Sequence, residues 1–122
     1  MRFSSTQVKG KGRGKLLGFP TINLEIPEDF SLGDGIYAVK VFIEEITFPG
    51  ALHFGPIPTF NETKKTLEVF LIDTKDSDIP DGNTFEFEII KYLRPVLNFP
   101  DQKKLAEQIA KDVLETKQIL NL

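Results

Sequence analysis

Residues 36–43 read Ile-Tyr-Ala-Val-Lys-Val-Phe-Ile, and this stretch decides the fold class. Most of its residues are β-branched or aromatic, and every second residue from Tyr37 to Ile43 is apolar, which is typical of a half-buried strand. Gly33-Asp34-Gly35 lies before the stretch and Pro49-Gly50 after its continuation, so the composition predicts turns at both ends. We therefore expect a β-strand bounded by turns.

Other short segments further along the chain have the same character. Residues 51–54 form a short strand candidate that Gly55-Pro56 ends, and residues 66–72 alternate between two faces. Asp81-Gly82 predicts a turn before residues 84–90, where polar and apolar positions separate at a period of two. Several short strands separated by turns predict a small antiparallel barrel or sandwich.

The end of the chain has a different pattern. Asp101 is a plausible helix N-cap, and residues 102–118 predict an amphipathic helix that packs on one face or end of the barrel. Its apolar stripe consists of Leu105, Ile109 and Val113 at intervals of four residues, with Ala106, Ala110 and Leu114 beside them.

Composition limits the classes of protein that this chain can belong to. With 122 residues, 40% of them hydrophobic and 27% charged, it fits one globular domain. The absence of cysteine excludes disulfides, thiolate metal sites and thiol nucleophiles, and a single histidine cannot build a zinc cluster. The sequence has neither a signal-peptide pattern nor an apolar run long enough to span a membrane, so we expect a cytoplasmic protein without a membrane partner.

The net charge of −3 conceals an uneven distribution along the chain. Residues 1–24 contain five basic side chains and no acid, whereas the rest of the chain has 10 basic and 18 acidic side chains. The total argues against general binding of nucleic acid, but the N-terminal segment should attract anions.

A glycine-rich basic stretch occupies this N-terminal segment. Gly10, Gly12 and Gly14 alternate with Lys11 and Arg13, and Lys15 follows. Glycines allow backbone amides to approach a phosphate closely, and the basic side chains supply charge, so the stretch fits a polyphosphate site. It matches neither the Walker loop nor the dinucleotide fingerprint. A basic loop without a ligand explains the same composition equally well.

The next six residues, Phe19-Pro20-Thr21-Ile22-Asn23-Leu24, predict an extended segment. In that conformation Thr21 and Asn23 share one face, and Ile22 and Leu24 point into the core. A neutral hydroxyl and amide are adequate ligands for Mg²⁺ when phosphates supply the negative charge. The alternative is that both side chains only satisfy a turn or a strand edge.

Three other polar residues are candidates for chemistry. Glu68 interrupts an otherwise apolar strand, so its carboxylate must face either solvent or a pocket, where it could accept a hydroxyl proton. Arg94 precedes Pro95 at a strand end and could pair with surface acids or hold a ligand. His53 lies in a short strand, and a structural role fits it best.

Taken together, five segments in order resemble the riboflavin kinase family over nearly the whole chain. The segments are Gly10-x-Gly-x-Gly-Lys-x2-Gly18-Phe-Pro-Thr-Ile-Asn23, Gly35-Ile-Tyr-Ala-Val39, Pro58-Thr-Phe60, Leu67-Glu-Val-Phe-Leu71, and Tyr92-Leu-Arg-Pro95 with Phe99 beyond it.

The resemblance implies a mainly β fold, a six-stranded antiparallel Greek-key barrel with a C-terminal helix packed on it. It implies a single kinase domain over residues 1–122 without an FAD synthetase domain, with the barrel at about 1–98 and the helix at about 101–119. The implied reaction transfers the γ-phosphoryl group of Mg-ATP to the 5′-hydroxyl of riboflavin and gives FMN and ADP.

The family's site residues carry over to matching positions. Glu68 falls on the catalytic base, and Thr21 and Asn23 fall on the metal-ATP motif. The ATP-phosphate loop falls on Gly10, Gly12, Gly14 and Lys15. Leu71 and Arg94 are candidates for contact with riboflavin. The implied cofactor is Mg²⁺, with Zn²⁺ or Mn²⁺ as alternatives, and the implied state is a monomer that binds no nucleic acid.

The chain departs from the family pattern in several places. Ile22 replaces a usual alanine, Phe70 stands where a histidine is common, and the residues before Pro58 and before Gly82 differ from the usual ones. Two other functions therefore stay open: a non-catalytic barrel that binds flavin or nucleotide, and an oligonucleotide-binding barrel that uses the basic segment and the phenylalanines. Riboflavin-dependent release of ADP would separate the kinase from both.

Overall fold

The computed structural model describes residues 1–8, 19–80 and 84–122. Six strands and one helix make up the fold, together with two short 3₁₀ turns at Pro58–Phe60 and Asp76–Asp78. The elements are β1 (Arg2–Thr6), β2 (Thr21–Leu24), β3 (Gly35–Ile43), β4 (Ile46–Ile57), β5 (Glu62–Leu71), β6 (Thr84–Arg94) and α1 (Gln102–Ile119).

The strands form one sheet in the order β1-β6-β3-β4-β5-β2, and all its pairs are antiparallel. The part β6-β3-β4-β5 is a Greek key, because three consecutive strands are followed by a fourth that lies beside the first. The sheet curls until its two edges meet, where Gln7 bridges Leu24 and the Val8 N–H donates to the Asn23 carbonyl at 2.8 Å. The predicted mainly β fold with a C-terminal helix is confirmed.

The barrel interior is filled by the inward faces of the strands. Every second residue from Tyr37 to Ile43 lies in this core, as the alternation in residues 36–43 predicts, and Ile22 and Leu24 lie there too. Phe85 and Phe87 of β6 are among the largest fully buried side chains. The core therefore fixes which face of each strand points outward, and this outward face carries the polar residues of interest.

The turn predicted at Pro49-Gly50 is wrong. The β3–β4 hairpin turns at Glu44 and Glu45, and β4 continues through Pro49 and Gly50. Glycine serves close packing here, because a Cβ on Gly50 would lie 2.6 Å from Cγ1 of Val69 on β5. The predicted strand at 51–54 is therefore the middle of a 12-residue strand. The predicted turn at Asp81-Gly82 lies outside the described residues.

The C-terminal helix begins where the sequence predicts. The Asp101 carboxylate accepts a hydrogen bond from the Lys104 N–H at 2.9 Å, which caps the helix. The buried face differs from the predicted stripe, because Asp112 and Thr116 face inward while Ala110 is exposed and Leu114 is 61% exposed. Asp112 faces inward because it pairs with Arg94 at the end of β6. In the described parts of the chain, no helix has the length and apolarity that crossing a membrane requires.

Candidate functional site

A row of cross-strand neighbours runs over the outer face of five strands. Asn23 lies opposite Glu68, Glu68 opposite His53, His53 opposite Ile36, and Ile36 opposite Arg94. Directly opposed residues project from the same face of a sheet. The register thus brings the four polar residues of this row, all of them candidates from the sequence, to one side of the barrel.

Glu68 lies on this outer face and is nevertheless only 7% exposed. Its neighbours Leu67 and Val69 point into the core, so Glu68 and Phe70 point the other way, toward α1 and the segment after β6. Both side chains line a pocket between the sheet and these elements. The alternative that Glu68 faces open solvent is therefore wrong, and the carboxylate lies at a pocket wall.

The pocket has the mostly apolar lining with a few polar groups that small-molecule sites have, but it encloses only about 30 Å³. Its walls come from β3, β4, the 3₁₀ turn at 58–60, β5, the end of β6, residues 96–99 and α1. The apolar lining includes Ile36, Ile57, Phe60, Phe70, Leu97, Phe99, Leu105 and Ile109, and the polar lining is His53, Thr59, Glu68, Arg94 and Asp112. The Phe99 N–H donates to Thr59 Oγ1 at 3.1 Å, which ties the 96–99 segment to the 3₁₀ turn.

Thr21 and Asn23 lie on the edge strand next to this pocket. Thr21 is opposite Phe70 and Asn23 is opposite Glu68, and both are half-buried on the outer face, as the extended conformation predicts. Within residues 1–8, 19–80 and 84–122 no cluster of three or more acidic, histidine or cysteine side chains could hold a metal ion. A cation at Thr21 and Asn23 would therefore have neutral oxygen ligands, a set that fits Mg²⁺ carried by a polyphosphate.

The predicted phosphate loop, Gly10, Gly12, Gly14 and Lys15, lies outside the described residues. The residues that flank it can be placed. Val8 bonds to the backbone of Asn23, and the ring of Phe19 lies 6.2 Å from that of Phe70, edge to face. Both flanks of the glycine segment therefore contact residues next to Glu68.

Arg94 has a buried partner rather than a surface acid. Its Nε donates to Asp112 Oδ1 at 2.9 Å and its Nη2 donates to Asp112 Oδ2 at 2.8 Å, a bidentate pair. Its Nη1 donates to the Pro95 carbonyl at 3.0 Å, and the Phe99 ring centroid lies 5.8 Å from its Cζ. Arg94 thus joins the end of β6 to α1 at the wall of the pocket.

His53 is held in place by the backbone that follows it. Its Nε2 lies 3.1 Å from the Pro56 carbonyl and 3.3 Å from that of Gly55. Burial, chiefly, lowers the pKa of His53, and the charge of Arg94 acts in the same direction, whereas the two carbonyls and Asp34 oppose the shift. At neutral pH the imidazole is therefore uncharged, and Nε2–H is the donor.

Two predictions about the substrate side have different outcomes. Arg94 lines the pocket, whereas Leu71 is 1% exposed and belongs to the barrel core. Contact between Leu71 and a substrate stays a prediction without support from its position, and Phe70 lines the pocket in its place. Sequence reasoning missed Asp112, although an acid three residues after Ile109, in register with Leu105 and Thr116, was a readable signal.

Comparisons with known proteins agree with the family resemblance seen in the sequence. A family model described as "Flavokinase: Riboflavin kinase" matches residues 1–120. The bifunctional riboflavin kinase/FMN adenylyltransferase of Buchnera aphidicola is 33% identical over 122 residues, covering 98% of this chain and 38% of the relative. The enzyme of the same name from Haemophilus influenzae is 34% identical, covering 93% and 37%. The RNA-binding riboflavin kinase RibR of Bacillus subtilis is 35% identical, covering 90% and 47%.

Solved structures share the fold. A riboflavin kinase from Trypanosoma brucei superposes with a TM-score of 0.66 at 19% identity, covering 98% of this chain and 79% of that one. A protein from Streptococcus pneumoniae titled as a macrolide-efflux protein superposes with a TM-score of 0.78 at 25% identity, covering 95% and 38%. The chain thus spans less than half the length of the curated relatives named above.

Proposed function

This chain belongs to the riboflavin kinase family, and from this we propose that it transfers the γ-phosphoryl group of ATP to the 5′-hydroxyl of riboflavin, giving FMN and ADP. The observation that carries the proposal is the position of Glu68, a buried carboxylate at the wall of a mostly apolar pocket and directly opposite Asn23. A flavin ring needs an apolar pocket, and its hydroxyl needs a proton acceptor.

Glu68 is the proposed catalytic base. Its carboxylate accepts the proton of the 5′-hydroxyl as the hydroxyl oxygen bonds to the γ-phosphorus. The bond from that phosphorus to the oxygen bridging to the β-phosphate breaks, and ADP leaves. Phosphoryl transfer requires mainly alignment and neutralisation of charge, so the barrel's chief contribution is to hold the two substrates in line.

Nucleotide and metal are proposed to bind at the edge of the sheet. The family uses ATP and a divalent metal, and we propose Mg²⁺ with Thr21 and Asn23 as its protein ligands. When bound, the cation neutralises charge on the phosphates. Gly10, Gly12, Gly14 and Lys15 are proposed to hold the phosphates. Support comes from the two flanks of that segment, because Val8 bonds to Asn23, the residue opposite Glu68, and Phe19 packs against Phe70.

Riboflavin is proposed to bind with its 5′-hydroxyl at Glu68 and its ring toward Arg94 and Phe99. The pocket encloses about 30 Å³, room for about one water molecule, so residues 96–99 and α1 must move away from the sheet to admit the ring. The apolar lining at Phe70, Leu97 and Phe99 suits a flat aromatic ring. The cytoplasmic location, the monomeric state and the absence of nucleic-acid binding stay predictions.

The test is an assay of the purified protein with riboflavin, ATP and Mg²⁺, in which FMN is separated by chromatography and ADP is measured in the same sample. We expect equal amounts of FMN and ADP, and no ADP when riboflavin is omitted. Riboflavin binding without FMN formation would contradict the kinase and favour the non-catalytic barrel. Binding to single-stranded oligonucleotides that weakens steeply with salt, without any response to riboflavin, would favour the oligonucleotide-binding barrel.

A further inference from the structure

The imidazole ring of His53 has two nitrogens, and the fold uses one of them. Nε2–H is directed at the Pro56 carbonyl at 3.1 Å and at the Gly55 carbonyl at 3.3 Å. Burial lowers the pKa of His53, so at neutral pH the other nitrogen, Nδ1, has no proton and is a hydrogen-bond acceptor. No hydrogen bond between described residues uses Nδ1. The structural role of His53 therefore accounts for only half of its ring.

His53 also lies next to the proposed catalytic base. It is directly opposite Glu68 on the neighbouring strand, and both side chains line the pocket. The Cβ atoms of directly opposed residues in an antiparallel pair are about 5 Å apart. The pocket wall thus has two acceptor side chains, an imidazole and a carboxylate, on neighbouring strands and on the same face of the sheet.

The chemistry of this wall limits what can bind against it. A ligand that covers a buried acceptor without offering a donor leaves that acceptor unpaired, which is costly. Two acceptors whose Cβ atoms are about 5 Å apart fit two hydroxyl groups on adjacent carbons, each donating one bond of about 2.8 Å. The ribityl chain of riboflavin has this feature, because its 4′-hydroxyl is next to the 5′-hydroxyl that receives the phosphoryl group.

We propose that His53 is a specificity-determining residue for the ribityl chain: Nδ1 accepts a hydrogen bond from the 4′-hydroxyl while Glu68 accepts the proton of the 5′-hydroxyl. The carbonyls of Gly55 and Pro56 hold the ring in the tautomer that this bond requires. The inference rests on the proposed function. It goes beyond it by making a second hydroxyl, beside the reacting one, a condition of substrate recognition.

The first test is spectroscopic and uses the wild-type protein. The chain has a single histidine, so the ring ¹⁵N signals of protein labelled in histidine belong to His53. At pH 7.5 we expect a proton on Nε2 and none on Nδ1. Saturation with riboflavin, without ATP, should shift the Nδ1 signal as a hydrogen bond to its lone pair does, and 4′-deoxyriboflavin should not. A proton on Nδ1 in the unliganded protein, no shift with riboflavin, or equal shifts with both flavins would overturn the inference.

The second test compares the two flavins as substrates. We expect kcat/KM for riboflavin to exceed that for 4′-deoxyriboflavin at least tenfold in the wild type, because the analogue leaves Nδ1 unpaired. In His53→Leu the preference should fall to less than twofold. General losses of activity cancel in this ratio, since both flavins are measured on the same protein. A preference kept in His53→Leu would overturn the inference, and if this variant does not fold, the spectroscopic test decides.

The matched control is Thr66→Val. Thr66 Oγ1 donates to the same Gly55 carbonyl at 3.5 Å, and Thr66 is not among the described residues that line the pocket. We expect this variant to keep the wild-type preference for riboflavin. Loss of the preference in Thr66→Val would assign the effect to the Gly55 carbonyl and contradict a direct role of Nδ1.

Failure of the inference and failure of the proposed function remain distinguishable. Wild-type protein that binds no riboflavin or forms no FMN contradicts the kinase whatever the variants do. Wild-type protein that forms FMN and phosphorylates both flavins with equal efficiency contradicts only the role of His53.

Discussion

Asn23 lies on β2 directly opposite Glu68. Its backbone carbonyl accepts the Val8 N–H where the barrel closes, and its side chain lies on the outer face beside Glu68. We expect Asn23→Ala to weaken the binding of Mg-ATP about tenfold and to change riboflavin affinity less than twofold, because an amide ligand to the cation is lost. Calorimetry with each ligand separately provides the measurement. The opposite pattern, with riboflavin binding weakened and Mg-ATP binding intact, would contradict the metal assignment.

His53 makes the stability of the protein depend on pH. Burial lowers its pKa below the ordinary value of 6.5, so the unfolded chain binds the proton more readily than the folded protein does. The folded state should therefore lose stability as the pH falls below about 6.5, by at most about 1.4 kcal/mol per pH unit, until the folded pKa is passed.

This dependence can be measured by urea unfolding of the wild type and of His53→Gln at pH 7.5 and pH 5.0. The variant keeps a side-chain amide donor near the Pro56 carbonyl and has no titrating group at this position. We expect the wild type to lose more stability than the variant between the two pH values. Equal losses would show that His53 contributes nothing to the pH dependence.

Individual site residues were readable from the sequence where a residue type contradicted its surroundings. Glu68 stands out in an apolar strand, and Thr21 and Asn23 share a face because of strand geometry alone. The sequence analysis missed Asp112 because the predicted apolar stripe of α1 runs through Val113 and Leu114. In the structure the helix packs through Asp112 and Thr116 instead. The partner of Asp112 is 18 residues away, and local patterns carry no information about that contact.

The β3–β4 hairpin has a turn with unfavourable residues. Glu44 and Glu45 both have positive φ, 50° and 68°, between the paired residues Ile43 and Ile46. Two-residue turns of this kind favour Asn-Gly, because most side chains disfavour positive φ. We expect Glu44→Asn/Glu45→Gly to stabilise the protein by about 1 kcal/mol, measured as the free energy of unfolding in urea.

The matched control for this hairpin is Glu44→Gln/Glu45→Gln. It removes the same charges but leaves the conformational preference nearly unchanged, so we expect little change in stability. Equal stabilisation by both pairs of substitutions would assign the effect to charge and contradict the conformational explanation.

Gly50 allows β4 and β5 to pack closely. A Cβ at this position would lie 2.6 Å from Val69 Cγ1 and 3.3 Å from the Phe70 carbonyl oxygen. We expect Gly50→Ala to destabilise the protein by about 1–3 kcal/mol in urea unfolding, because the core must shift to admit the methyl group. Adding Val69→Ala should recover part of this loss, and a double variant less stable than either single variant would contradict the steric explanation.

Elements were predicted well where the pattern is local. The alternation in residues 36–43 and the Asp101 cap both correspond to the observed β3 and α1. The position of the β3–β4 hairpin turn was predicted wrongly, because Pro49-Gly50 has the composition of a turn and Glu44-Glu45 does not. In the folded chain the packing of Gly50 against Val69 outweighs local preference, and it depends on a strand about 20 residues further along.

At the scale of the whole molecule, the Greek key determines where the site lies. Residues 21–24 pair with residues 67–70, and residues 50–57 pair with residues 62–71. Therefore β5 lies between β2 and β4, and Glu68 has Asn23 on one side and His53 on the other. No periodicity in the sequence specifies this order of strands. It was accessible from the sequence only through the resemblance to a family, whereas the strands themselves were accessible from physical patterns.

The central claim is that these converging elements form one site for phosphoryl transfer, with Glu68 as its base. The most direct measurement is FMN formation by Glu68→Gln, alongside its affinities for riboflavin and for Mg-ATP and with Glu115→Gln, on the exposed face of α1, as the control. We predict that kcat falls about 100- to 10,000-fold while both affinities and the folded structure are kept. Turnover at the wild-type rate in Glu68→Gln would contradict the account.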